Sequence, residues 1–408
     1  MVLNFFSIII IIFPFLIVSG PLLTNLAVSL LAIYYIFILI TNYSASRFLN
    51  HFIIKLILIF WLYCVVRSLL SENIYLSLEA SLFYGRFIFF SLGVAYLIQK
   101  NQKILEYLTY SLLFCLLILT LDGYLQFFTG TNILGYEKIN PYRVSSFFKD
   151  ELILGSFLAR LMPLAFFFIA IKSDKKTLFM IFALILLILQ DVLIFLAGER
   201  AAFFYLVLSS ILIIFLVPNF RVARIATFII SIFLIYFITT NYDAIKVRMI
   251  DKTLRDLGIG DNKKDFHIFT LEHELLYFSS IKMFKEKPIF GHGPKMFREV
   301  CKKYNLDKGC STHPHNTYIQ LLAELGIVGF LPIILLFFYI VFILTRHFIS
   351  TIMNYDKYIL KDEEIFLLIC FCITLWPIAP TANFFTSWIN SIYYFPLGFY
   401  LYLNITKK

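Results

Sequence analysis

The stretch LGIVGFLPIILLFFYIVFILTR, residues 325–346, carries no charge until its final Arg346. About 20 such residues, rising ~1.5 Å each as a helix, cross the ~30 Å hydrocarbon core of a bilayer. Lipid offers no hydrogen bonds to an open backbone, so a stretch like this must be helical if it spans. Working outward, comparable apolar segments fall at about 5–19, 21–41, 52–70, 77–98, 104–128, 151–171, 176–197, 201–217, 222–240, 364–380 and 385–404. The sequence therefore predicts an all-α polytopic membrane protein with about twelve transmembrane helices and one large extracytoplasmic loop containing amphipathic helices. Its predicted organisation is helices 1–9 over residues 1–240, the loop over 241–324, and helices 10–12 with a cytoplasmic C-terminus over 325–408.

Composition agrees. Of 408 residues, 61% are hydrophobic, 19% aromatic and 15% charged, against about 25% charged in an ordinary soluble domain. The chain starts apolar at once after Met1-Val2-Leu3-Asn4, without the positive region of a cleaved leader, so residues 5–19 read as a retained first helix. The net charge of +10 is explained by topology rather than by nucleic acid. With the N-terminus cytoplasmic, the inside turns collect Arg47 and Lys55, Lys100 and Lys103, and Lys172, Lys175 and Lys176. Arg221 and Arg224, then Arg346, Lys357 and Lys361, and finally Lys407 and Lys408 continue the series, as the positive-inside rule requires. Both termini are then cytoplasmic.

Two outward segments remain, 129–150 and 241–316. In the second, Leu271, Leu275, Phe278, Ile281 and Phe284 recur at helical spacing until Pro288, which predicts an amphipathic helix on the membrane or on the bundle. Cys301 and Cys310 in this loop could close a disulfide in an oxidising compartment. Cys64, Cys115, Cys370 and Cys372 lie in apolar stretches and read as packing residues.

Three features could carry chemistry. In Cys310-Ser311-Thr312-His313-Pro314-His315-Asn316-Thr317-Tyr318, Pro314 suits a first helical position with Thr312 or His313 as the cap. His315 and Asn316 would then occupy the first turn, where the helix dipole keeps an imidazole neutral and able to act as a base. The bland alternatives are a capped loop, or a metal site shared with His292, which would lack a certain third ligand. The second feature is charge within membrane segments: Arg86 and Arg160, with Arg200 at the outer end of Gly198-Glu199-Arg200-Ala201-Ala202. Such arginines either converge on an anion or pair with Glu79, Asp122, Asp191 or Glu199 and fix packing. The third, Pro288-Ile289-Phe290-Gly291-His292-Gly293-Pro294, reads as a tight turn bringing the loop back over the bundle. No phosphate-binding loop or large cytoplasmic domain supports an ATP-driven pump.

The stretch His313-Pro314-His315-Asn316-Thr317-Tyr318-Ile319-Gln320-Leu321-Leu322-Ala323-Glu324-Leu325-Gly326, preceded by Pro288–Pro294, resembles the signature region of the O-antigen ligase and O-antigen polymerase superfamily. The likeness extends to Gly198–Ala202, to Arg143-Val144-Ser145-Ser146-Phe147-Phe148, and to Asp150-Glu151 and Leu154-Gly155. The resemblance implies a bacterial inner-membrane glycosyltransferase that moves a glycan from undecaprenyl pyrophosphate to an acceptor hydroxyl in the periplasm. No cofactor or metal is implied. It implies His315 as the base and Arg200 as the pyrophosphate contact, with Arg86, Arg143 and Arg160 as further donor contacts. Asn316, His313, Glu199 and His273 would be supporting residues. The loop would supply the base, and the membrane helices the anion-binding half. One departure stands out: many members carry an Arg upstream of the Gly-x-Gly turn where this chain has His273, so Arg248 or Arg255 could supply that charge. The expected acceptor is lipid A–core oligosaccharide. The alternatives are polymerase, protein O-oligosaccharyltransferase and, in another class, a lipid-glycan flippase.

Overall fold

In a computed structural model the chain is described at residues 4–172, 177–256, 259, 269–304 and 308–406. Met1-Val2-Leu3, Lys175, Lys176, Lys407 and Lys408, used above for the leader and charge arguments, lie outside the described residues. The helices are α1 (Phe5–Val18), α2 (Pro21–Thr41), α3 (Phe52–Leu69), α4 (Ile74–Leu82), α5 (Gly85–Lys100), α6 (Lys103–Thr129), α7 (Leu154–Ile171), α8 (Thr177–Leu196) and α9 (Arg200–Leu216). They continue as α10 (Pro218–Asn241), α11 (Asp243–Lys246), α12 (Lys252–Asp256), α13 (Leu271–Glu286), α14 (Phe297–Val300), α15 (Thr317–Ile352), α16 (Asp362–Thr374) and α17 (Ser387–Thr406). Among the described residues there is no strand, only an isolated bridge between Thr131 and Glu137.

Among the described residues, eight helical stretches are long and apolar enough to cross a membrane by themselves, fewer than the twelve expected. For α1, α9 and α16 the reason is length, at 14, 17 and 13 residues against the ~20 a full crossing needs, whereas α17 has 20 residues but is diluted by tyrosines and asparagines. Ile74–Lys100, which contains α4 and α5, counts as one stretch.

Two compact units are present, each discontinuous in sequence. The first holds residues 1–23, 101–264 and 342–374; the second holds 24–100, 265–341 and 375–408. In the first, α7 packs against α9 and α16, and α10 against α8 and α9. Its core contains an ion pair that the charge pattern concealed. Arg224, expected in a cytoplasmic turn, lies in the second turn of α10, because Pro218 starts that helix earlier than hydropathy suggested. Its side chain is fully buried and grips Asp191 of α8 bidentately, at 2.7 and 3.1 Å. Ser210 and Ser231 satisfy the remaining valences of the pair. Asp122 likewise serves packing rather than an arginine: it accepts from Ile133 N at 2.9 Å and from Ser146 Oγ, tying the loop after α6 back to that helix.

In the second unit α5 packs against α17. Gly398 allows it, since a Cβ there would press on Val94, and the rings of Phe90 and Phe395 and of Phe87 and Tyr394 stack along the seam. The amphipathic helix predicted in the loop is present as α13, but its inner face differs from expectation. Leu276, Tyr277, Ser280 and Met283 are buried, while Leu271, Phe278 and Ile281 face outward. Met283 and Leu276 pack with Met296, Phe297, Val300, Cys301 and Ala323 into a small core that clamps α13 and α14 onto α15. Spacing alone could not choose between two apolar stripes on one helix.

Removing one partner of the buried pair leaves a charge stranded in an apolar interior, at a cost of about 3–5 kcal/mol. Asp191→Ala is therefore expected to depress the thermal midpoint in detergent sharply, and the paired replacement Asp191→Leu with Arg224→Met to recover most of the loss. An Asp191→Ala protein melting at the wild-type temperature would contradict the assignment.

Candidate functional site

The histidine motif starts a helix, but not at the expected place. The cap of α15 is Asn316, whose Oδ1 accepts from Tyr318 N at 3.0 Å and Ile319 N at 3.1 Å. Thr312 and His313 are not the cap: a planar Asn amide satisfies the free donors of the second and third helical positions, a task to which it is well suited. His315 therefore stands just before the helix rather than in its first turn, and holds a left-handed backbone with φ +57°. Its carbonyl accepts from Thr381 N at 2.8 Å. The imidazole is crowded, with the His313 ring at 4.0 Å and the His273 ring at 5.5 Å between centroids. Burial, and then His273, lower the His315 pKa below its usual value. Burial, and then His315, push His313 down to about 3. Desolvation and a neighbouring histidine, rather than a helix terminus, are thus what favour the neutral imidazole at His315.

His273 reaches this cluster from the first turn of α13, where Thr270 caps the helix and contacts the ring nitrogen at 3.1 Å. Among the described residues, no three of His, Cys, Asp and Glu converge in a way that could hold a metal ion. Cys301 and Cys310 are joined by a disulfide, with their Cα atoms 5.2 Å apart, which ties the end of α14 to the segment leading into His313.

The part of α15 that carries the motif is a half-helix. Gly326 breaks it with φ +64° and ψ −166°, and the predicted Gly-x-Gly turn fills the break. His292 N and Gly293 N donate to the carbonyls of Ala323 and Glu324, while Ile327 N and Val328 N donate to those of Pro288 and Ile289. Tyr63 takes the Leu325 carbonyl at 2.7 Å, and Arg67 holds those of Phe290 and Gly291 at 2.9 and 2.6 Å. Gly291 is obligatory, since its φ is +67° and a Cβ would collide with the Glu324 backbone. A second irregular segment, between α16 and α17, is pinned to the same half-helix. Asn316 Nδ2 donates to Pro377 O at 2.8 Å, and Gln320 binds Asn383 Oδ1 and Phe384 N at 3.1 and 3.0 Å. Arg86, in this unit too, donates to Asn25 Oδ1 and Ser387 Oγ at 2.8 and 2.9 Å.

The other predicted site residues lie in the first unit, around Gly198–Arg200. Gly198 has φ +69°, and the Tyr142–Arg143 backbone passes so close that a Cβ would not fit. Glu199 does not pair with Arg200; it accepts from Gly155 N at 2.8 Å and from Ser156 Oγ, closing the first turn of α7. Burial raises its carboxyl above the usual value. Arg200 instead pairs with Asp256 at 2.7 Å and stays about a quarter exposed. Arg143 donates to Leu152 O at 2.8 Å, and Arg248 to Gly198 O at 3.2 Å. Burial and the nearby Arg200 lower the Arg248 pKa, so at least two guanidinium groups share this turn. Arg160 is buried with its guanidinium 4.4 Å from the Tyr205 ring centre and no carboxylate partner among the described residues. Arg255 is exposed.

Residues 181–334 match the protein family described as O-antigen ligase. The matched segment includes Gly198–Arg200, the Gly-x-Gly turn and the histidine motif, and supports the superfamily that the sequence resembles. It points to a glycosyltransferase-like enzyme of the membrane. No curated protein matches the chain.

Gly291→Ala is expected to destabilise the protein by well over the ~1–2 kcal/mol that a left-handed alanine alone costs. Gly135→Ala, equally left-handed at φ +82° but facing open space, should cost only that amount. Equal losses in thermal melts of the two variants would refute the docking of the turn.

Proposed function

We propose that the protein is a periplasm-facing glycosyltransferase of the bacterial inner membrane, acting as an O-antigen ligase on lipid A–core oligosaccharide. In the proposed reaction the acceptor oxygen bonds to the anomeric carbon of a glycan carried on undecaprenyl pyrophosphate. The bond from that carbon to the pyrophosphate oxygen breaks, and the pyrophosphate leaves with the bonding electrons. His315 takes the acceptor proton, and Arg200 contacts the pyrophosphate, with Arg86, Arg143 and Arg160 as further donor contacts. Charge grows on the departing group, so a fixed guanidinium stabilises the transition state more than the ground state.

The observation that carries the reading is the state of His315. It lies within the matched segment, is crowded by two other histidines, and is held below its ordinary pKa of 6.5. A general base must be neutral before it can act. The exposure of Arg200 supports the anion role, because Arg143, Arg200 and Arg248 outnumber Asp256 and Glu199, the carboxylates that act on them.

His315→Ala is expected to lose transfer by a factor of about 10²–10⁴ while remaining folded. In the wild-type enzyme the rate should stay flat down to pH 6.5 and fall only below it, as protonation removes the base. An acid limb at or above pH 6.5, or full transfer by His315→Ala, would sink the role. For Arg200, charge reversal to Glu should weaken binding of the lipid-linked donor at least tenfold; unchanged affinity would reject the pyrophosphate contact. Deleting the protein should leave the lipopolysaccharide core without long chains while lipid-linked polymer accumulates. A core bearing a single repeat would point to a polymerase instead.

A further inference from the structure

The second unit contains a cation that neither the motif nor the resemblance singled out. Arg298 lies in α14, and its charge is felt by His313 and by Glu324. Its Nε is buried without a hydrogen-bond partner, and its guanidinium makes no ion pair among the described residues. Glu324 does not supply one: Oε1 accepts from Phe297 N at 3.0 Å and Oε2 from Gln320 Nε2 at 3.0 Å. Glu299, next in sequence, pairs with Lys302. A partly buried guanidinium with an unmet donor is held at a cost that an anion would relieve.

The surroundings hold this cation rather than merely tolerating it. Phe297 and Val300, on either side of the Arg298–Glu299 pair, are fully buried in the small core with Leu276 and Met283 of α13 and Ala323 of α15. The Phe297 amide is fixed by Glu324, and the disulfide at Cys301 fixes the chain just after α14. One scaffold therefore presents His273 from α13, Arg298 from α14, and the His313–His315 pair from the approach to α15. Such over-determination of a short helix suits a group that must stay aimed before its ligand arrives.

We propose that Arg298 is a substrate-binding residue, taking phosphate or pyrophosphate oxygens beside His315. This rests on the reading of His315 as the base, and deepens it by placing an anion contact in the same unit. A guanidinium presents two donors to such oxygens in a fixed fork, which a lysine ammonium matches in charge but not in shape.

The test uses the purified full chain in detergent, with undecaprenyl pyrophosphate and inorganic pyrophosphate as separate probes. Arg298→Gln should weaken binding of undecaprenyl pyrophosphate at least tenfold, with Arg298→Lys recovering part of the loss. An equal loss for inorganic pyrophosphate identifies phosphate oxygens alone as the recognised group; a loss confined to the lipid identifies the lipid-borne headgroup. Wild-type affinity of Arg298→Gln for both probes overturns the proposal. If that variant does not fold, phenylglyoxal labelling of the wild-type protein decides: undecaprenyl pyrophosphate, but not undecaprenol, should protect Arg298 in peptide mapping, and equal labelling overturns the proposal. His315→Ala serves as the separate arm. Its retention of full transfer would defeat the base assignment, whereas the binding results at Arg298 stand or fall independently.

Discussion

The second unit depends on a repaired break. An α-helix interrupted at Gly326 frees carbonyls on one side and amides on the other, and in an apolar setting each unpaired group costs several kcal/mol. The 288–293 turn satisfies both sets, giving its amides to Ala323 and Glu324 and its carbonyls to Ile327 and Val328. This reciprocity explains why a loop can be rigid without secondary structure of its own. It also orients the Thr317–Leu325 half-helix independently of the rest of α15. The three histidines and Arg298 are placed by elements fastened to that half-helix, so their geometry inherits the repair.

The arginines of this protein divide by what balances them. Arg224 is neutralised by Asp191 and also bound by Ser210 and Thr227, has no capacity left for a ligand, and serves the fold. Arg67 spends its donors on the carbonyls of the docked turn. Arg86 and Arg160 are held by neutral oxygens or an aromatic face, and Arg298 has an unmet Nε donor, so among the described residues no carboxylate cancels their charge. Solvation by neutral dipoles keeps a guanidinium in place while preserving its attraction for an anion. Pairing with a carboxylate would remove that attraction.

Much of this was legible in the sequence, and the limits were physical. Hydropathy located the helices because lipid leaves the backbone few options, yet it misjudged where α10 begins, since an arginine with a buried partner mimics a loop arginine. The residues of α13 were found by periodicity, but its buried face depends on which neighbour covers it, and Phe278 and Met283 are equally apolar. The histidine motif was visible at once. Its cap was misassigned because Pro314 suggested a helix start, whereas Asn316 competes for the same amides and wins. Arg298 left no local signal: its significance lies in the absence of a partner for its buried Nε among the described residues, which only the packed structure reveals.

The left-handed conformation of His315 ties these observations together. A β-carbon in this region costs about 1–2 kcal/mol unless surrounding contacts impose it. Here they do: Asn316 begins the helix one residue later, and Thr381 N holds the His315 carbonyl from the irregular segment before α17. An ordinary helical first turn would have stacked the imidazole along α15 and exposed it to the helix dipole. Reversing the backbone just before the cap turns the ring toward His273 and His313 instead, where burial keeps it neutral. The strain is thus local, imposed from two sides, and spent on setting the direction and protonation of one side chain.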